Sequence, residues 1–112
     1  MLADAITLEY TAGDRVLTKI QESDGQSIYR LRTATEETVL FVRHSKTKAG
    51  LERHNMELKE TVYETATQPE YTRKVYMVVE HSPRDTEWEH VSILGDRMKL
   101  SPWMPSVMAG EG

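Results

Sequence analysis

Between Val39 and Glu80 the chain alternates in period two three times over, in VLFVRHSKTK, ERHNMELKETVYET and EYTRKVYMVVE. In the middle segment Arg53, Asn55, Glu57, Lys59, Thr61 and Tyr63 fall on one side, and His54, Met56, Leu58 and Val62 on the other. Strict alternation of this kind is the signature of a half-buried strand. It commits the chain to a sheet with a polar face. That face carries Arg, Lys, Asn, Ser, Thr and Tyr, the side chains that contact phosphates, base edges and base faces. It is therefore a candidate binding platform.

The remaining pattern extends the sheet. Ala5 to Tyr10 reads as a first strand, Arg15 to Glu22 as a second and Gln26 to Arg32 as a third. Ala12-Gly13-Asp14 and Ser23-Asp24-Gly25 are the turns between them, the second with an Asp-Gly pair suited to a tight hairpin. Thr38 to Thr47, Leu51 or Glu52 to Thr65, and Tyr71 to Glu80 are strands four to six, separated by Lys48-Ala49-Gly50 and by a loop at Pro69.

After Glu80 the period changes. Ser82-Pro83-Arg84-Asp85 has the form of a helix start, with Ser as N-cap and Pro at the first helical position. Trp88, Val91, Leu94 and Met98 then follow as one helical stripe. Ser101-Pro102 repeats the cap signal before Trp103, Met104, Val107 and Met108, and Gly110 closes the second helix. The expected helices run over about 83–100 and 102–109. Six strands followed by two helices define an α+β chain, an N-terminal hairpin and antiparallel meander with two C-terminal helices.

The length of 112 residues predicts one domain, 1–112. An apolar fraction of 38% is low for its core. Both Trp residues and three of the six Met lie in the last 25 residues, more apolar surface than one sheet covers. Helices packed over a neighbour's sheet would meet both facts, which points to an intimate dimer. The absence of cysteine excludes disulfides, thiolate metal sites and cysteine nucleophiles. No apolar run is long enough for a transmembrane helix, and the first residues lack the basic region of a signal peptide.

The net charge of −4 argues against indiscriminate nucleic-acid binding, but the charge is uneven. Residues 43–59 hold Arg43, Lys46, Lys48, Arg53 and Lys59 against Glu52 and Glu57, a local balance of +3 that leaves −7 for the remainder. A basic patch on an acidic particle fits this distribution, as do strand edges that carry Lys and Arg against aggregation.

No catalytic motif stands out. There is no P-loop, GxGxxG or GxSxG, and no nucleophile–base pair is singled out. His44 and His54 flank a turn on the face opposite Arg43 and Arg53. With Glu52 or Glu57 they have the composition of a zinc site, but not the spacing of a known one, and interior or interfacial histidines are the favoured reading. No cofactor, metal or small-molecule substrate is expected. For nucleic acid, Arg and Lys would anchor phosphates, Asn55 and Thr61 would read base edges, and Tyr76 would stack a base. A solvated polar sheet face is the alternative.

The chain also resembles the coat proteins of small single-stranded RNA bacteriophages. Val42-Arg43-His44-Ser45 looks like a Val-Arg-Gln-Ser run on the fourth strand of one such coat. Arg53-His54-Asn55 through Lys59 and Thr61 resembles the long basic strand that follows, and Arg73-Lys74-Val75-Tyr76 the Arg-x-x-Tyr that opens the last strand. The segment from Ser82 to Ser101-Pro102 is similar to the acidic-start helix, break and second helix.

This resemblance implies a homodimer with a continuous sheet and interlocked helices, closing into an icosahedral capsid. It implies that the inner sheet face binds a hairpin of the genomic RNA, which represses translation and marks the genome for packaging. The implied RNA face comprises Arg43, Ser45, Arg53, Asn55, Lys59, Thr61, Tyr76 and Glu80, with Tyr76 as the stacking residue. The loop 66–70 resembles one that meets at symmetry axes. The chain departs from the family pattern at Glu57, at Val78 and in the apolar Val39 and Phe41. The protein would reside in the virion, be assembled in the cytoplasm of a bacterial host, have no enzymatic activity and have no membrane partner. A cellular RNA-binding module that never assembles, and an interaction domain without RNA, are the competing readings.

Overall fold

The structure, a computed structural model, describes residues 2–100 and 103–110. The chain divides into two compact units, Met1–Glu80 and His81–Gly112.

The first unit is built on an antiparallel meander. Its strands are β1 (Ala5–Tyr10), β2 (Gly13–Ser23), β3 (Gln26–Arg32), β4 (Glu36–Lys46), β5 (Glu52–Val62) and β6 (Tyr71–His81), and they lie in the sheet in chain order. Each turn joins neighbours directly, so the pairing is local throughout. The β2–β3 turn shows why. Ser23 pairs with Gln26, leaving Asp24 and Gly25 as a two-residue loop with Gly25 at φ 74°. Gly25 also packs against β4: it accepts the His44 N–H at 2.7 Å, and a Cβ there would meet the His44 carbonyl oxygen at 3.0 Å. Glycine is needed on both counts.

Several strand ends differ from the sequence reading. β4 runs from Glu36 to Lys46 instead of Thr38 to Thr47, and β2 and β6 each end one residue later, at Ser23 and His81. β2 starts at Gly13 instead of Arg15, because Tyr10 and Gly13 already pair. β5 ends at Val62 instead of Thr65. The Thr65 N–H turns to the Gln68 carbonyl at 2.8 Å and its hydroxyl accepts from Thr67 N–H, so a local turn takes the groups a longer strand would have paired. The sequence also gave no sign of the irregularity in β2, where the register shifts between Lys19 and Gln21 and leaves Ile20 unpaired.

The registers separate two faces. Ser27, Tyr29 and Leu31 of β3, Thr38, Leu40, Val42 and His44 of β4, and His54, Met56, Leu58 and Glu60 of β5 share one face. Arg43, Ser45, Phe41, Arg53, Asn55, Glu57 and Lys59 share the other. The best-buried side chains, Leu17, Tyr29 and Thr38, lie on the first face. The Tyr29 hydroxyl donates to the Ala3 carbonyl at 2.6 Å, so the segment before β1 closes over the ring and satisfies its polar end.

One end of this apolar face is polar. Arg15 meets Glu36 at 2.6 Å and Glu60 at 3.5 Å, and donates to the Thr38 hydroxyl at 2.9 Å. Arg73 donates to Glu60 at 3.2 Å, and that bond holds its guanidinium above its ordinary pKa. Tyr10 lies under the Arg15 guanidinium at 4.0 Å. Burial, and next the Glu60 carboxylate, push its phenol up.

The second unit holds α1 (Glu89–Lys99) and α2 (Trp103–Met108). The helix expected from Pro83 begins six residues later, and Ser82 is not its N-cap. The Arg84 N–H donates to Ser82 Oγ at 3.4 Å, Asp85 N–H to the Ser82 carbonyl at 2.9 Å and Glu87 N–H to Asp85 Oδ1 at 3.0 Å. These side chains satisfy a run of turns in place of a helix, which is why Ser and Asp mark both structures equally well. Trp88 occupies the N-cap position without a side-chain cap bond. The Ser101-Pro102 cap signal, and Glu111 and Gly112, lie outside the described residues. Gly110, at φ 86°, ends α2 by donating to the Val107 carbonyl at 3.0 Å.

Candidate nucleic-acid interface

The polar face of β4, β5 and β6 follows from the register. Arg43 stands opposite Asn55, and Ser45 opposite Arg53. The contacts Thr61–Thr72 (3.3 Å), Glu60–Arg73 (3.2 Å) and Arg53–Glu80 (4.0 Å) run in opposite senses along β5 and β6, which fixes their antiparallel pairing. Tyr76 lies on the same face of β6 as Thr72, Lys74 and Glu80 by alternation. All eight residues singled out from the sequence, Arg43, Ser45, Arg53, Asn55, Lys59, Thr61, Tyr76 and Glu80, therefore share one face of three adjacent strands. His44 and His54 leave by the opposite face.

The electrostatics are more balanced than the sequence suggests. Glu57 lies 3.6 Å from both Arg43 and Lys74, and Glu80 lies 4.0 Å from Arg53. Among the described residues no ion pair holds Lys59, whose side chain is exposed. The Arg43 guanidinium also lies 4.7 Å from the centre of the Phe41 ring, which fixes its plane above an apolar neighbour. Tyr76 is 63% exposed, which leaves its ring open to stacking. The Asn55 Oδ1 atom is buried without a partner, an orphaned acceptor at the centre of the face.

Sequence reasoning missed part of this face. The β3–β4 register sets Gln26 opposite Arg43 and Arg30 opposite Val39, and so carries the polar face onto β3. Arg32 belongs to it as well, bound to Glu37 at 2.9 Å, and those hydrogen bonds raise its pKa. The alternation of β3 contained the signal, but without the register it could not be joined to that of β4. Alternation already placed Lys74 and Glu57 on this face; their pairing with one another is what it did not show.

A sheet of six antiparallel strands followed by two helices is the architecture of bacteriophage coat proteins. The fold is similar to that of the bacteriophage EMS014 coat protein, with a TM-score of 0.69 at 20% identity over 86% of this chain and 71% of that one. A chain of the virus-like particle of bacteriophage EMS014 gives a TM-score of 0.62 at 18% identity, covering 82% and 68% of the two chains. No curated protein matches the sequence. The family model of the phage phiCb5 coat protein matches residues 3–82, which span the whole sheet. The chain belongs to that phage coat protein family, a family of structural proteins rather than enzymes.

Proposed function

We propose that this coat protein forms a homodimer, assembles into an icosahedral shell and binds a hairpin of single-stranded genomic RNA on the polar face of β4–β6. In this reading the bound hairpin both marks the genome for packaging and represses translation. The shell assembles in the bacterial cytoplasm and the protein ends in the virion. One observation carries the reading: Arg43, Ser45, Arg53, Asn55, Lys59, Thr61, Tyr76 and Glu80 converge on one face while the apolar side chains of the same strands leave by the other.

Each role follows from its chemistry. Arg43, Arg53 and Lys59, with Lys74 beside them, meet phosphates. Asn55 and Thr61 meet base edges, where an amide and a hydroxyl both donate and accept. Tyr76 stacks an unpaired base. Dimerisation has its own support, because each unit leaves apolar surface uncovered. Val75 on the apolar sheet face is 57% exposed, and Trp88, Ile93 and Met108 in the helical unit are 70%, 62% and 83% exposed. A monomer in water does not keep so much apolar surface open. A second copy of the chain is the occupant the family membership favours.

Expression of the protein and electron microscopy of the product test assembly. RNA-containing particles are the expected outcome, and a discrete dimer that forms no particles with RNA present contradicts assembly. RNA binding is tested separately in particles carrying Arg53→Ala and Tyr76→Ala. Unchanged affinity for an RNA stem-loop would leave a shell protein whose polar face has no RNA role.

A further inference from the structure

The loop end of the β4–β5 hairpin brings two imidazoles together on the apolar face. His44 and His54 are directly opposite in register. The His44 N–H points away from β5, to the Gly25 carbonyl, so the two histidines form a non-hydrogen-bonded cross-strand pair, the type that holds side chains closest. Their Nδ1 atoms are 2.7 Å apart, with the rings inclined at 75° and their centres 4.9 Å apart. One Nδ1 carries the proton and the other accepts it.

Glu52 precedes His54 by two residues on the same face of β5, and the two offer ligand atoms within 4.8 Å of one another. His44, Glu52 and His54 line a single pocket of about 320 Å³, together with Ser45 and Lys46. Two imidazoles and a carboxylate are the donor set that suits zinc-class cations.

We propose that His44, His54 and Glu52 form a binding site for a divalent zinc-class cation, bound through both Nδ1 atoms and the carboxylate, with water in the fourth position. Two nitrogens on a tetrahedral zinc stand about 3.3 Å apart, given bonds of about 2.0–2.1 Å. The imidazoles must therefore open by about 0.6 Å, a small rotation for an exposed pair. The cation takes the place of the shared proton, and the donating ring moves that proton to its Nε2. Lys46 lines the same pocket, and its ammonium group keeps the affinity moderate.

The site clamps β4 to β5 beside the hairpin loop. His44 is flanked by Arg43 and Ser45, and His54 by Arg53 and Asn55, whose side chains leave by the other face. A bound cation thus fixes the backbone beneath four residues of the polar face. The sequence alone favoured plain histidines because the spacing of 44 and 54 matches no ligand motif. Only the register makes them partners. The inference does not depend on whether the polar face binds RNA.

The probe is Co²⁺, added to the purified protein and followed by its visible absorption, with Zn²⁺ as competitor. The expected result is one Co²⁺ per chain with the intense spectrum of a tetrahedral site, displaced by Zn²⁺. The double variant His44→Gln/His54→Gln, which preserves side-chain size and polarity, is expected to weaken binding by at least about 100-fold, and Glu52→Gln by about tenfold. Circular dichroism establishes that each variant retains its sheet. Absence of saturable Co²⁺ binding in the parent protein would overturn the assignment. So would unchanged binding in the double histidine variant or in Glu52→Gln.

Discussion

The two faces of the β2–β6 sheet are made from the same strands and obey different rules. On one face Leu17, Tyr29 and Thr38 are fully enclosed, and even the Tyr29 hydroxyl has a fixed partner in Ala3. On the other, Tyr76 stands open, and Arg43, Lys74 and Arg53 pair with the exchangeable carboxylates of Glu57 and Glu80. One face gains its free energy on folding. The other keeps its groups solvated and loosely paired, ready to exchange one anion for another. Alternation in period two lets a single strand do both.

Two tyrosines give the sharpest contrast. Tyr29→Ala removes a buried ring and is expected to cost about 3–5 kcal/mol of stability, measured by denaturant unfolding. Tyr76→Ala is expected to change stability by less than about 0.5 kcal/mol. For RNA affinity the order reverses, and loss of the Tyr76 ring should cost about 1–3 kcal/mol in a titration with an RNA stem-loop. Equal effects of the two on stability would erase the distinction between the faces.

Glu57 gives a smaller effect. Its carboxylate lies between Arg43 and Lys74 and competes with phosphate for both. Glu57→Gln should tighten binding of an unstructured RNA several-fold, with a steeper salt dependence, because two cations become free for phosphates. Weaker binding in a filter assay would mean that Glu57 organises the cations more than it occupies them.

The smallest effect concerns pH and the apolar face. Tyr10 has its phenol pKa raised above the ordinary 10.0, by burial first and then by Glu60. The folded state therefore holds this proton more tightly than the unfolded chain. Stability is unaffected below the unfolded pKa and falls as pH rises through the ordinary tyrosine range toward the folded value. Tyr10→Phe should flatten this alkaline limb slightly in thermal melts taken on either side of pH 10, and an unchanged limb would assign it to other groups.

Much of this was legible in the residues. The alternation of Arg53, Asn55, Glu57 and Lys59 against His54, Met56 and Leu58 gave the strands and the sidedness of the site, and Asp24-Gly25 gave a hairpin. Pairing across strands was not legible. That Glu57 sits between Arg43 and Lys74, or that Arg15 of β2 reaches Glu36 of β4 and Glu60 of β5, depends on register, which no single strand carries. The false helix start at Ser82 has another cause. Ser and Asp side chains satisfy backbone N–H groups in a turn as readily as at a helix end, so the local signal does not separate the two.

The most direct measurement of the central claim is the salt dependence of RNA stem-loop affinity for the parent coat protein and for Arg53→Ala. The four cations that β4–β6 bring to the polar face, Arg43, Arg53, Lys59 and Lys74, should give a log–log slope of about −3 for single-stranded RNA, and removal of Arg53 should make it shallower by about 0.7. A flat dependence, or a slope unaltered by Arg53→Ala, would contradict the assignment of the polar face to RNA.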